Sequence, residues 1–314
     1  MVIGVTTPKP NLKDGREKET RVVSSNVSVI NRLRGIWLSR ELLIYLVRTE
    51  IKVKYKNSVL GLVWSMAAPA MTLGIYYLVF GVILKSGIPN FVIFLFSGLL
   101  IWNLFQLGVQ TGTGVVVNNA GIVKKVSFPR EILALASIGS AGVFFFFQAI
   151  VMVLFMVLLK KSAPGWEYLP LVLLALIAGV VLASALSIFL SAVNVYLRDT
   201  QHLIEVLLTG WFWACPVVYA YQAQVGARLN ARGLTWVYFL NPVTPLVLTF
   251  QRALYAHVTV PASTPPHAIM DILPPYGFLW YTALDFGVLA LAIVLFLIAL
   301  SIFGHLEGNF AEEL

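Results

Sequence analysis

The sequence predicts an all-α membrane protein with six transmembrane helices. Of its 314 residues, 59% are apolar and only 11% are charged, whereas soluble domains are about 45–50% apolar and about 25% charged. The mean hydropathy of +0.86 is too high for a single water-soluble core. Six uncharged stretches are also long enough to cross a hydrocarbon layer about 30 Å thick, which takes about 20 helical residues.

The six predicted spans follow one another between the first long uncharged stretch and the end of the chain. Their bounds, set by the nearest charged residues, are 57–84, 86–123, 132–159, 168–197, 206–227 and 286–306. Together they define a transmembrane domain over residues 57–306.

One further uncharged stretch, 233–251, contains Pro242 and Pro245 near its middle. Each proline removes a backbone donor and clashes with the preceding helical turn. We therefore expect a re-entrant or interfacial segment on the outer face between spans five and six. Pro216 is expected to bend or end span five near the same face.

The segments outside the spans are polar or amphipathic. Residues 1–35 carry mixed charge, and we expect them to form a disordered cytosolic tail. As a helix, residues 36–56 would have a mostly apolar surface that a few charged residues interrupt, which is typical of an interfacial amphipathic helix. A simple membrane-surface anchor is the alternative. Residues 307–314 are predicted to form a cytosolic C-terminus.

The distribution of positive charge predicts the orientation. Sixteen of the 22 lysine and arginine residues lie on the face that holds the N-terminus, and a positive bias of this kind marks the cytosolic side. Both termini are therefore expected in the cytosol. A nucleic-acid partner is not expected, because the basic residues flank spans and form no aromatic-studded groove.

The sequence lacks the motifs of an energy-coupled enzyme. It has no G-x-x-x-x-G-K-[ST] phosphate loop and no H-E-x-x-H or Cys–His grouping for zinc, so we expect no catalytic residues, metal or cofactor in this chain. Glu205 and Asp285 are expected at span ends, away from the midplane where an ion-coupled carrier usually places an acid. The energy for any transport must then come from another protein.

Three blocks carry a resemblance to a known family. Tyr55–Phe80, "YKNSVLGLVWSMAAPAMTLGIYYLVF", matches the family pattern at Ser58, Leu60, Gly61, Trp64, Pro69 and Tyr76. "NVYLRD" precedes an apolar run that ends in "PVVY", and "FLNPVTPLV" follows it. Together these blocks resemble the membrane subunits of type-2 ABC exporters of polysaccharides over roughly residues 38–303. Within that family, the sequence as a whole is most similar to the actinobacterial galactan type.

The resemblance implies how the protein works. Two copies of the chain line a channel, and two copies of a separate ATPase, which binds ATP and Mg, move lipid-linked polysaccharide such as O-antigen or galactan across the inner membrane. It also implies an ATPase-coupling loop between spans two and three, for which a solvated connector is the alternative. The coupling residues are Lys124, Lys125, Phe128, Pro129, Arg130 and Glu131.

Aromatic residues in and near the spans are candidates to line the channel, because rings that stack on sugar faces hold a sliding glycan weakly. Packing between helices is the alternative for each of them. The candidates are Trp64, Tyr76, Tyr77, Trp102, Phe105, Trp211 and Trp213.

Arg198 and Asp199 lie between spans four and five, where they are expected to mark the cytosolic turn. Asp199 can cap the helix that begins near Thr200. The pair is either a simple topology anchor or a stiff corner at the channel entrance that transmits ATPase motion.

Two other functions would make different demands on the sequence. A type-2 ABC exporter of a drug or small lipid would share the spans and the ATPase but need a narrower, more apolar path. A membrane-embedded transferase would need paired carboxylates or an Asp/His cluster, whereas the acidic residues near the predicted spans are isolated.

Overall fold

The structure is a computed structural model that describes residues 28–54, 56, 63–85, 87–159, 164–256, 259–261 and 269–314. In this part of the chain the fold is helical, apart from turns and one antiparallel ribbon of two short strands, β1 (Thr259–Pro261) and β2 (Ile269–Asp271). The predicted all-helical class is therefore confirmed, and the ribbon is a small addition that the sequence analysis did not predict.

The helices run in chain order as α1 (Val29–Leu38), α2 (Arg40–Lys54), α3 (Val63–Tyr76), α4 (Phe91–Asn118), α5 (Ala120–Val123), α6 (Glu131–Leu159), α7 (Leu169–Tyr196), α8 (Thr200–Ala214), α9 (Ala227–Ala231), α10 (Thr235–Phe239), α11 (Val243–Leu254), α12 (Phe278–Leu306) and α13 (Phe310–Glu313). Two π-helical segments, Tyr77–Ile83 and Tyr221–Gly226, extend α3 and precede α9. Two 3-10 turns, Trp166–Tyr168 and Glu307–Asn309, precede α7 and follow α12.

Four of the described helices are long and apolar enough to cross a membrane. α3 and its π-helical extension cover much of the first predicted span, whose residues 57–62 lie outside the described part. α8 has 15 residues, about 22 Å at 1.5 Å per residue, and it ends directly before Cys215 and Pro216. The chain is thus a multi-pass membrane protein, and the count of six spans stays a prediction. The four helices are Phe91–Asn118, Glu131–Val157, Trp166–Tyr196 and Phe278–Asn309.

The first helix begins nearer the N-terminus than predicted. α1 begins at Val29, after Ser28, whose hydroxyl accepts a hydrogen bond from the Asn31 amide at 3.4 Å. The last seven residues of the predicted tail therefore belong to a helix, while residues 1–27 lie outside the described part.

The prolines at 242 and 245 lie where one helix ends and the next begins. Pro242 directly precedes α11 and Pro245 lies in its first turn, where the backbone N–H groups have no helical partner to lose. The stretch 233–251 is interrupted beside them, between the end of α10 at Phe239 and the start of α11 at Val243, so the break agrees with the prediction and the re-entrant path stays a prediction. α11 has 12 residues, ten of them buried, and at about 18 Å it is too short to cross the membrane.

The last long helix also starts earlier than predicted. α12 begins at Phe278, eight residues before the predicted boundary, so Asp285 lies inside the helix and not at its end. The boundary was wrong because the sequence analysis used the charge of Asp285 to set it. Asp285 is fully buried, and its carboxylate oxygens accept from the Thr249 hydroxyl at 2.9 and 3.1 Å. It still lies about 10 Å from the centre of α12.

The helices pack around α7, which contacts α12, α4 and α11, while α4 also contacts α6. The crossing of α4 and α7 is close because small residues line it. The Ser187 hydroxyl donates to the Gly108 carbonyl at 2.9 Å, and a Cβ atom on Gly112 would overlap the Ser187 hydroxyl. The space at Gly112 therefore sets how near the two helices lie.

The bundle has two chemically different ends. The charged end is where α4, α7 and α12 finish and α6 begins, and it has a core that includes Val116, Leu133, Val195 and Phe303. The aromatic end is opposite, where α12 begins beside Tyr168; the ring of Tyr168 lies 5.7 Å from that of Tyr281.

Replacing Gly112 with alanine should lower the stability of the bundle. The added methyl group forces α4 and α7 apart, and overpacking of this kind costs about 1–3 kcal/mol. Thermal unfolding of the purified protein in detergent measures the effect. The matched control is Gly142→Ala in α6, where a Cβ atom meets nothing within 4 Å. Equal unfolding temperatures for the two variants would contradict the close α4–α7 crossing.

Candidate functional site

The candidate channel residues converge on one residue that the sequence analysis missed. Phe212 stacks on Tyr76, with ring centroids 5.8 Å apart and an interplanar angle of 14°. Its ring is also 5.5 Å from that of Trp102 and 5.4 Å from that of Trp213. The only signal in the sequence was the position of Phe212 between two tryptophans. This aromatic cluster joins α3, α4 and α8.

The other candidates differ in their exposure. Phe105 is fully buried beside Trp102 and Trp211, with its ring 5.2 Å from that of Trp211. The Trp211 indole N–H donates to Asn241 at 2.9 Å. Tyr77 and Trp213 are 45% and 51% exposed. The side chain of Trp64 lies outside the described part. Trp102, Phe105 and Trp211 thus pack between elements, whereas Tyr77 and Trp213 face outward.

α8 carries an exposed polar and aromatic face. Glu205, Thr209 and Trp213 follow one another at intervals of four residues, so they share one side of the helix, and all three are exposed. The Thr209 hydroxyl donates back to the Glu205 carbonyl at 3.0 Å. We call these three residues the α8 stripe. A surface of this kind is unfavourable against lipid and suits a water-filled path or another protein surface.

α2 is fixed to the bundle on one side. The Ser140 hydroxyl of α6 donates to the Glu50 carboxylate at 2.8 Å, and the Lys54 ammonium lies 4.4 Å from the centre of the Phe144 ring. A cavity of about 700 Å³ lies between α2, α4 and α6 and reaches Gln201 of α8. α2 therefore has one side against protein and one exposed side, as an interfacial helix requires.

Charged residues from three distant segments meet at the charged end. The Arg32 guanidinium of α1 forms an ion pair with Glu131, the first residue of α6. The same guanidinium donates to Glu307, just beyond α12, at 2.9 Å. Arg130 donates to the Glu307 carbonyl at 2.9 Å. Two positive and two negative side chains therefore form one network, which we call the charge network.

The charge network is well shielded from water. Side-chain exposure is 1% for Glu131, 9% for Arg32 and 15% for Glu307. Burial acts to lower the pKa of the Arg32 guanidinium, but hydrogen bonds and charge attraction from Glu307 and Glu131 outweigh it and raise the pKa. Arg32 rests on Gly304, where a Cβ atom would lie 2.6 Å from its Nε. Arg32 therefore stays charged, and its guanidinium packs closely against Gly304.

The predicted coupling loop divides into two parts. Lys124 and Lys125 are exposed, and Phe128 and Pro129 are half-buried. Arg130 and Glu131 belong to the charge network and so contact this chain's own termini. Sequence reasoning missed Arg32 and Glu307, because ion pairs across 99 and 275 residues leave no local pattern.

The turn between α7 and α8 holds Arg198 and Asp199, and both are exposed. α8 begins at Thr200 as predicted, but the Asp199 side chain makes no capping bond. The buried Asn194 has that role, because its side-chain oxygen accepts from the Gln201 amide at 3.2 Å. The predicted cap was wrong because Asp199 adopts a helical backbone conformation, which turns its side chain away from the helix start.

The bundle of long apolar helices, with the charge network at one end, defines a polytopic membrane protein without a metal cluster in the described part. The profile of the ABC-2 type transporter family matches residues 41–255, and the chain belongs to this family of transport subunits. It is 30% identical over 286 residues to an O-antigen export system permease protein RfbA of Myxococcus xanthus, covering 91% of this chain and 100% of that protein. A protein with the same name from Klebsiella pneumoniae is 27% identical over 274 residues, covering 87% and 95% of the two chains.

Replacing Arg32 with glutamine should destabilise the charged end. The change leaves Glu131 and Glu307 close together without their shared partner, and breaking a buried ion pair costs roughly 3–5 kcal/mol. Thermal unfolding and limited proteolysis near α1 measure the loss. The control is Arg34→Gln, on an exposed position of the same helix.

A second variant separates charge pairing from packing at this site. Arg32→Gln combined with Glu131→Gln removes both charges, so it should be more stable than Arg32→Gln alone. If Arg32→Gln behaves like Arg34→Gln, the charge network does not hold α1 in place.

Proposed function

We propose that this chain is the transmembrane subunit of an ATP-driven exporter that moves lipid-linked polysaccharide across the cytoplasmic membrane. The names of the relatives support this substrate class, and an O-antigen or galactan-like glycan fits it. In this proposal the chain crosses the membrane six times and α11 belongs to a re-entrant outer region. Both termini are cytosolic, because the exposed lysines of the loop before α6 lie at the charged end.

The α8 stripe is the observation that best supports a homodimer around a channel. A carboxylate, a hydroxyl and a tryptophan lie exposed along one side of α8, which overlaps the fifth predicted span from residue 206 onward. If this side of α8 faced lipid, placing the Glu205 carboxylate against hydrocarbon would cost free energy. Facing a water-filled path between two copies, it would be solvated, and Trp213 could contact sugar rings. Tyr77 lies outward on the neighbouring π-helical segment, whose Phe80 ring is 6.4 Å from the Trp213 ring.

The partner ATPase, in two copies that bind ATP and Mg, would dock at the charged end. Lys124 and Lys125 are the exposed part of the predicted coupling loop, and Phe128 and Pro129 lie beside them. Arg130 and Glu131 would act indirectly, by tying the loop to α1 and α12. The turn at Arg198 and Asp199 would lie near the channel entrance, held by Asn194.

Reversing both exposed lysines, Lys124→Glu with Lys125→Glu, should weaken the complex with the ATPase. If their positive charges face an acidic surface, reversal replaces attraction by repulsion, and we expect roughly a tenfold loss of affinity, about 1.4 kcal/mol. Co-purification and ATP-dependent export measure it. The control is Lys52→Glu on α2, also exposed. Unchanged binding and export by the double variant would make this loop a solvated connector.

Export itself is tested in proteoliposomes that contain the purified chain, its ATPase and a fluorescent lipid-linked glycan. Glycan should move only when both proteins and ATP are present. Trp213→Ala should lower the rate several-fold, because it removes a ring from the path. The control is Phe286→Ala, an aromatic residue on α12 that is 56% exposed. Movement of a small drug or lipid without glycan movement would favour the other class of exporter.

A further inference from the structure

A small cleft at the aromatic end has the composition of a carbohydrate site. It lies between the π-helical segment Tyr221–Gly226, α10 and the start of α12, and its volume is about 230 Å³. This is below the range of about 300–1,000 Å³ that is typical for drug-sized ligands, so it suits a unit the size of one sugar ring. The lining residues are Tyr221, Gln222, Gly226, Asn230, Thr235, Trp236, Phe239, Tyr276, Trp280 and Leu284.

Aromatic rings form one part of this aromatic cleft. Trp236 is 63% exposed and Tyr276 is 51% exposed. The Tyr276 ring lies 4.5 Å from the Trp280 ring at an angle of 32°, and Phe239 meets Trp280 edge to face at 5.5 Å. Trp280 therefore supports the exposed Tyr276 ring, and Phe239 in turn supports Trp280. Such supported rings offer a flat apolar face to a ligand that also carries hydroxyl groups.

Two hydroxyl groups in the aromatic cleft have no partner among the residues that the structure describes. The Tyr221 hydroxyl and the Thr235 hydroxyl are both buried and make no hydrogen bond to any described residue, and Tyr221 as a whole is only 3% exposed. An unpaired buried hydroxyl costs about 1–3 kcal/mol. A ligand with its own hydroxyl groups would remove that cost, and Gln222 and Asn230 add amide groups that can donate and accept.

The lining also indicates the charge of the ligand. None of the described residues that line the cleft is charged, so nothing there compensates a carboxylate or a phosphate. A sugar without charge presents apolar C–H faces to rings and hydroxyl groups to hydroxyls and amides. The aromatic cleft matches that pattern in both respects.

We propose that the aromatic cleft binds one uncharged sugar unit, and that it holds the glycan on the outer side of the membrane during export. This inference rests on the proposed function for its biological role, but binding can be measured without transport. The competing explanation is that Trp236 and Tyr276 anchor the protein in the membrane interface, where such residues are common.

The test uses the full chain in lipid nanodiscs with neutral hexasaccharides of glucose, mannose and galactose as probes. Saturation-transfer NMR and a titration should show saturable binding of at least one of them. Trp236→Ala and Tyr276→Ala should each weaken it at least tenfold. Trp166→Ala, at an outer tryptophan that is 71% exposed and does not line the cleft, should change it less than twofold.

A conservative variant keeps the test valid if the alanine variants fold poorly. Tyr221→Phe removes only an unpaired hydroxyl, so it should keep or raise thermal stability while it weakens sugar binding several-fold. No saturable binding of any neutral hexasaccharide up to about 10 mM, or an equal loss in Trp166→Ala, would overturn the proposal. Binding of a galacturonic acid hexamer as tight as the neutral sugars would overturn its selectivity.

The outcome separates this inference from the proposed function. If the wild-type chain exports glycan with its ATPase but binds no neutral sugar, the aromatic cleft is not a sugar site and the exporter function stands. If it binds neutral sugar through Trp236 but moves no glycan, the sugar site stands and the exporter function fails.

Discussion

The architecture depends on the cost of placing charge in hydrocarbon. Inside the bundle, the Asp285 carboxyl group is kept away from lipid by complete burial and accepts from the Thr249 hydroxyl, because contact of this group with hydrocarbon would be strongly unfavourable. Other charged groups of the long helices lie at their ends. The bundle is therefore divided into an apolar middle and two polar ends that can acquire separate roles.

The charge network links three separate segments of the chain at one of these ends. Arg32 lies between Glu131 and Glu307, so the start of α6, the end of α12 and the N-terminal α1 cannot move independently. The exposed Lys124 and Lys125 project from the loop directly before α6. A force applied to this loop would reach α12 and α1 through ionic contacts, which are stiff because little water competes for them. At the opposite end, the aromatic cleft has no charge on its described lining and depends on rings and hydroxyl groups.

The helical membrane fold class and part of the candidate functional site could be predicted from the sequence. The length of the uncharged apolar stretches predicted the long helices, and Pro216 predicted the end of α8. Pro242 and Pro245 also marked the break between α10 and α11, but the sequence did not show that Pro245 lies in the first turn of a new helix. The prediction failed where a charge was assumed to end a span, because Asp285 lies inside α12 with the Thr249 hydroxyl as its hydrogen-bond partner. Arg32, Asn194 and Phe212 could not be predicted, because their roles come from contacts that are distant in sequence or depend on local backbone conformation.

The central claim is that the loop before α6 and the aromatic cleft lie on opposite sides of the membrane, with the loop in the cytosol. Single cysteines at Lys125 and Trp236, in a chain whose one buried cysteine, Cys215, is changed to serine, test it directly. With a membrane-impermeant thiol reagent, the cysteine at 236 should be labelled in intact cells and the cysteine at 125 only after permeabilisation. Labelling of the cysteine at 125 in intact cells, or of both cysteines from the same side, would contradict the account.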